Sequence, residues 1–340
     1  MGYGHAGRGI HARLAREAGY TVAAVVTRDL GRRQQAAFDW PGVRLYEDLD
    51  ALVDGRAGFD LAVIASPTLH HADHAAHLAR VAIPFVLDKP IGVDLFEARA
   101  VLAEAAATNT PFTVFQNRRW DSEQLTLLRL LDQGSLGDVH TFERRWERWR
   151  PVPQQRWKEN DAIGGGLLLD LGSHLVDSAV QLFGPATSVY AQLRSLTTAA
   201  DDDVFLTLTH SEGGGLAKSP HAVVSRLWAG SVVGAPGPRT RVLGTKAAYL
   251  VTSFEQEASP FEVMDAGAPA DAIGWLVCGR EREPVVGLRD EHVDFYRALQ
   301  PWLRGETAPP VDPADAVHTA EVLGAARKSA TTGRVVRLSD

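Results

Sequence analysis

The chain has 340 residues, long for one ordinary domain and suited to two. Apolar residues make up 45% and charged residues 23%, the balance of a soluble globular protein and not of a disordered or fibrous one. Lys and Arg number 35 against 42 Asp and Glu, a formal charge of −7 without a long basic run, which argues against a nucleic-acid or anionic-membrane surface.

The single cysteine, Cys278, excludes an intrachain disulfide, and no Cys/His cluster has zinc-ligand spacing. No metal is therefore expected, and a reducing, cytoplasmic setting fits. The longest apolar runs, such as Leu61 to Ala65 and Ile83 to Leu87, fall far short of the ~18 residues of a membrane span, and the N-terminus shows no signal-peptide pattern.

Taken in order, the first third alternates helical periodicity with short apolar runs at Tyr20 to Thr27, Phe59 to Ser66, Ile83 to Asp88 and Pro111 to Gln116. Runs of Val, Ile, Phe and Ala without polar alternation predict parallel strands covered by helices on both faces, a doubly wound α/β domain over residues 1–118. Beyond a helix beginning near Trp120 the strands lengthen and several alternate apolar with polar residues: Val139 to Trp149, Ser188 to Ser195, Val204 to Thr209, Ala222 to Trp228 and Arg241 to Leu243. These predict an α+β domain over residues 119–340, with a large, mainly antiparallel open sheet and the helix Leu167 to Phe183 inserted among its strands. Helices are expected around Glu291 to Leu303 and Ala316 to Ser329, separated by the proline-rich acidic segment Glu306 to Asp315.

Gly2-Tyr3-Gly4-His5-Ala6-Gly7 spells G-x-G-x-x-G, in which glycines allow a tight turn and let the backbone approach a pyrophosphate at the next helix's N-terminus. The competing reading is three glycines in a flexible turn. A following helix, Gly19 to end it and the strand Tyr20 to Thr27 favour the dinucleotide reading. The apolar strand that should precede the motif is missing. Each fully buried side chain of that central strand would contribute ~1.5 to 3 kcal/mol, so the natural start is expected a few residues upstream, with Met1 standing in for a strand residue.

The second strand ends Val26-Thr27-Arg28, where an acid would bind the 2′-hydroxyl of NAD. Thr27 and Arg28, with Arg32 and Arg33 opening the next helix, instead suit the 2′-phosphate of NADP. Asp29 keeps NAD open as the alternative.

Lys89, in Val86-Leu87-Asp88-Lys89-Pro90, follows a buried-type strand at the carboxyl end of the sheet, where such folds bind ligands. An exposed strand-end lysine is the alternative. A cis Lys89-Pro90 bond is one of two isomers open to that turn. Further on, Gly164-Gly165-Gly166 opens a helix carrying Asp170, His174 and Asp177 at i, i+4 and i+7, one face of an apolar helix. Ionisable groups in such a setting need partners or a cleft, and the triplet is read as a proton-transfer site in preference to a satisfied core histidine.

In order and spacing, G-x-G-x-x-G, Ser66-Pro67-Thr68-Leu69-His70-His71, Asp88-Lys89-Pro90 and GGG-x-x-x-D-x-G-x-H-x-x-D resemble the Gfo/Idh/MocA family over nearly the whole chain. Phe115-Gln116-Asn117-Arg118-Arg119-Trp120-Asp121 and Arg156-Trp157-Lys158-Glu159 are similar to its branch of NADP-dependent scyllo-inositol dehydrogenases. The chain departs from the family pattern at Asp88 (commonly Glu), Thr68 (often Asn) and Ala247 (frequently Gly).

The resemblance implies a Rossmann domain and hydride exchange between nicotinamide C4 and a secondary alcohol of a cyclic polyol or sugar. Lys89, Asp170 and His174 would be catalytic: His174 takes the alcohol proton, Asp170 orients the imidazole and Lys89 stabilises charge on oxygen. Gly2, Gly4, His5, Ala6, Gly7, Thr27, Arg28, Arg32, Ser66, Pro67, His71, Asp88, Lys89 and Gln116 would contact NADP or NAD. Asn117 and Trp157 would join Lys89, Asp170 and His174 around substrate, with Arg118 and Trp149 as further pocket candidates; tryptophans on strands also serve cores and subunit interfaces. A homodimer or homotetramer through the second domain's sheet is implied as well. A non-catalytic nucleotide sensor on the same scaffold is the other class.

Overall fold

A computed structural model of the chain describes residues 1–55, 58–253 and 259–338. One compact unit comprises Met1–Asn117 and Glu291–Val317; a second comprises Arg118–Asp290 and the residues from His318 onward. Chain order alone groups residues 291–317 with the second half, but they pack in the first unit, where Thr113 Oγ1 donates to the Val311 carbonyl at 2.8 Å.

In the first unit a wide π-type helix, His5–Ala12, runs into α1 (Arg13–Glu17). Then follow β1 (Ala24–Val26), α2 (Leu30–Asp39), β2 (Arg44–Tyr46), α3 (Leu49–Asp54), β3 (Ala62–Ile64), α4 (His71–Arg80), β4 (Phe85–Asp88), α5 (Leu95–Ala107) and β5 (Phe112–Phe115). Aspartates start three of these helices: Asp29, Asp48 and Asp94 accept the N–H of Arg32, Ala51 and Glu97 at 2.8 to 2.9 Å, satisfying donors that a helix start leaves open.

All strand pairs of this unit are parallel, as their apolar runs predict, but they form two pieces, β1-β2 and β3-β4-β5. Met1 and Gly2 lie between the pieces: the Met1 nitrogen donates to Val63 O at 2.6 Å, Ala65 N–H to Met1 O at 2.9 Å, and Gly2 N–H to Val26 O at 3.0 Å. Beside them is a cavity of about 540 Å³ lined by side chains including Val26, Leu52, Val63, Tyr20, Tyr296 and Leu303.

The second unit begins with α6 (Ser122–Asp132) and β6 (Val139–Glu147), then α7 (Trp157–Asn160), a π-type turn at Leu168–Gly172 and α8 (Ser173–Phe183). Strands β7 (Ala186–Arg194), β8 (Asp203–His210), β9 (Val224–Gly230), β10 (Thr240–Gly244), β11 (Ala248–Val251), β12 (Ala272–Cys278) and β13 (Glu281–Val286) follow. The chain closes with α9 (His292–Leu303), α10 (Pro313–Thr332) and β14 (Val336–Arg337).

Nine strands make one sheet in the order β13-β12-β11-β10-β6-β9-β8-β7-β14. Every neighbouring pair is antiparallel except β6 and β9, so the sheet is mixed, with a single parallel step. Its covered face carries Phe142, Val189, Leu206, Leu208, Leu227 and Val242 against Leu175, Val176, Ala179 and Phe183 of α8. The period-2 alternation of β8 shows why: Val204, Leu206 and Leu208 are buried while Phe205, Thr207 and Thr209 are half exposed.

Candidate active site

The first unit holds the candidate nucleotide-binding residues. The turn Gly2–Gly7 delivers the chain to a helix start at His5, the kind of terminus at which backbone N–H groups can serve an anion. A side chain at Gly7 is excluded because its Cβ would lie 2.1 Å from the Gly2 carbonyl oxygen, so the backbone folds on itself as a pyrophosphate cradle requires. The Arg32 guanidinium stands 3.9 Å from where a Gly4 Cβ would be, placing a cation over that cradle. These features fit a dinucleotide.

At the end of β1, Thr27 is buried and Arg28 is 81% exposed, its guanidinium 4.0 Å from the half-exposed Asp48. Asp29, the residue that leaves NAD open in the sequence, caps α2 through its Oδ1. Ser66 Oγ meets His74 Nδ1 at 3.0 Å, and Gln116 is buried at the end of β5.

His71 is fully buried, its Nδ1 2.7 Å from Pro90 O and its Nε2 2.9 Å from Ser66 O. Burial holds its pKa below the ordinary histidine value, so the neutral ring, with a single N–H, donates to only one of the two carbonyls. The Lys89-Pro90 peptide is cis. Asp88 Oδ1 accepts the Lys89 N–H at 2.8 Å.

The second unit holds the groups expected to act on substrate. Gly166, at φ +86°, leaves no room for a side chain: a Cβ would sit 2.2 Å from Asp201 Oδ1. That closeness lets Asp201 Oδ2 accept the Leu168 N–H at 2.6 Å and start the helix. The following π-type turn carries Asp170, and α8 begins with Ser173 and His174. His174 is 8% exposed, its ring 5.8 Å from that of Trp146. Around the Trp146 indole stand the guanidinium groups of Arg118, Arg239 and Arg148 at 4.8, 5.1 and 5.3 Å.

Lys158, on α7, donates from Nζ to Asp170 Oδ1 at 2.5 Å. The sequence signal for Lys158 was its place in the Arg156-Trp157-Lys158-Glu159 segment; the contact itself joins residues 12 apart through the glycine turn. Trp157 and Trp149 are exposed, and Asn117 is half buried. Asp177 departs from the expected triplet: it is 2% exposed and takes a two-pronged ion pair from Arg119, at 2.7 and 3.0 Å.

Two family models match the chain, the oxidoreductase family with an NAD-binding Rossmann fold over residues 1–116 and the GFO/IDH/MocA C-terminal domain over residues 125–250. It is also 30% identical, over 341 residues, to the uncharacterized oxidoreductase YdgJ of Escherichia coli (strain K12), covering 95% of this chain and 93% of that one. The chain belongs to the Gfo/Idh/MocA family.

Another Gfo/Idh/MocA relative, scyllo-inositol 2-dehydrogenase (NADP(+)) IolW of Bacillus subtilis (strain 168), is 24% identical over 353 residues, covering 99% of this chain and 94% of its own. The solved structure of an oxidoreductase from Klebsiella pneumoniae superimposes with a TM-score of 0.82 at 30% identity, covering all of this chain and 95% of that one. The WlbA dehydrogenase of Bordetella pertussis, solved with NADH and UDP-GlcNAcA, shares the fold at a TM-score of 0.77 and 19% identity, covering 100% of this chain and 97% of its own. The family makes the chain an oxidoreductase with an NAD-binding Rossmann domain. Among the described residues no helix is long and apolar enough to cross a membrane.

Proposed function

We propose that the chain is an NAD(P)-dependent dehydrogenase, cytoplasmic, that moves hydride between nicotinamide C4 and a secondary alcohol or ketone of a cyclic polyol or sugar, inositol-like in shape. The observation that carries the reading is the ionisable set at the start of α8, where Lys158 holds Asp170 four residues before His174. Paired ionisable groups of this kind suit proton transfer. The bound dinucleotide supplies the hydride acceptor. The His174 imidazole takes the alcohol proton, Lys89 donates to the same oxygen, and Asp170 orients the imidazole, with Asn117 and Trp157 shaping the substrate pocket.

NADP is the preferred cofactor in this reading. Arg28 is open to solvent at the end of β1 and Arg32 stands over the glycine turn, while one oxygen of Asp29 is engaged by the start of α2. IolW, named for NADP(+), is consistent with that choice.

His174→Ala should bind NADPH as wild type does, and both it and Lys89→Ala should lose turnover by roughly 10² to 10⁴-fold on a panel of inositols and sugars, the range general acid–base groups supply. Absence of wild-type turnover across that panel, with nucleotide still bound, would favour the sensor.

A further inference from the structure

We propose that His11 is a positioning residue for Lys89, acting through the Asp88 carboxylate and itself held by Tyr296. The inference rests on Lys89 being the group that meets substrate, as proposed above.

His11 lies on the π-type helix of the first unit, 3% exposed, its ring 4.4 Å from that of Phe115. Its Nδ1 is 2.6 Å from the Tyr296 hydroxyl on α9, and its Nε2 is 3.6 Å from Asp88 Oδ2. That second distance is longer than a full hydrogen bond. Nε2 has no hydrogen-bond partner among the described residues. The other oxygen of Asp88 accepts the Lys89 N–H. Three side chains from three elements thus form a line, Tyr296, His11, Asp88, that ends on the backbone of the candidate catalytic lysine.

The direction of the donors follows from acidity. Burial, with the nearby Asp88 and Tyr20, keeps the Tyr296 phenol well above its ordinary pKa, so it stays protonated and donates to Nδ1. A neutral imidazole that accepts at Nδ1 carries its proton at Nε2, which faces Asp88. For Asp88, burial pushes the carboxyl up, but His11 foremost, with Lys89, outweighs it and holds it below the usual range. The carboxylate so fixed has one methylene fewer than the glutamate common at this position of the motif.

The variants separate this role from packing. His11→Phe keeps a ring against Phe115 and removes both nitrogens, whereas His11→Gln restores a donor near the Nε2 position; Tyr296→Phe removes only the hydroxyl. With scyllo-inositol and NADP⁺, His11→Phe should lower kcat roughly tenfold, the worth of one charge-assisted contact, with little change in KM. His11→Gln should recover most of the loss, and Tyr296→Phe should fall between. Independently of turnover, reductive methylation of the intact proteins, followed by mass spectrometry of the Lys89 peptide, should run several-fold faster in His11→Phe than in wild type or His11→Gln.

Wild-type methylation of Lys89 in His11→Phe overturns the proposal. Equal losses in His11→Phe and His11→Gln that track a fall in Tm also overturn it, since packing alone predicts them. A wild type that does not turn over scyllo-inositol counts against the substrate reading, and the methylation rates still decide the role of His11.

Discussion

Single residues show where sequence spacing informs and where it misleads. His174 and Asp177 both occupy the apolar helix, yet one lies beside Trp146 and the other is committed to Arg119, 58 residues away in the chain. A partner that remote leaves no local trace, so the triplet could be read only as a unit. His210 teaches a similar lesson about burial. Its Nδ1 is 2.7 Å from Gly184 O and its Nε2 2.9 Å from Ser225 Oγ, and burial lowers its pKa to about 4 from an ordinary value of 6.5. Between those values the unfolded chain binds a proton that the folded state refuses. The contribution of His210 is therefore fully present above pH 6.5 and is lost as pH falls toward 4. Urea unfolding of wild type should show stability dropping from pH 7 to pH 5, and His210→Gln should reduce that slope by up to about 1.4 kcal/mol per pH unit. Identical slopes would show that His210 titrates normally.

At the scale of elements, legibility followed hydrophobic continuity. Strands β3, β4 and β5 are short buried runs of Ala, Val, Ile, Leu and Phe, and the sequence announces them. Strand β2, Arg44–Tyr46, is half buried throughout and has no such signature. Nor has β13, whose Glu281–Val286 is exposed at all positions but one, as an edge strand tolerates. The π-type turns at His5–Ala12 and Leu168–Gly172 were invisible because helical periodicity does not reveal an added residue per turn. The first of them depends on the glycine turn. Gly7→Ala would force a methyl to 2.1 Å from the Gly2 carbonyl, so the variant should lose NADPH binding and lower Tm by several degrees. Wild-type binding and Tm would mean that the cradle is not built as described.

For the whole molecule, two compact units and a nine-strand mixed sheet accommodate the alternation read from the sequence, with the residues Glu291–Val317 returning to the first unit. One sheet face is covered by α8; the other leaves Phe205 and Trp228 half exposed, their rings 5.2 Å apart, with the Arg145 guanidinium 3.9 Å from the Trp228 ring. We propose that this face pairs with a second copy of the chain, as a homodimer or homotetramer would require. Sedimentation should give an oligomer for wild type and a smaller species for Trp228→Glu; a monomeric wild type would end that proposal.

The oxidoreductase's first unit is proposed to prefer NADP, and that preference is open to direct measurement. Fluorescence titration with NADPH and NADH compares the two nucleotides on the intact protein. NADPH should bind more tightly than NADH, by roughly tenfold or more, with the preference falling in Arg28→Ala because the guanidinium no longer pairs with the 2′-phosphate. Tighter binding of NADH, or binding of neither nucleotide, would contradict it.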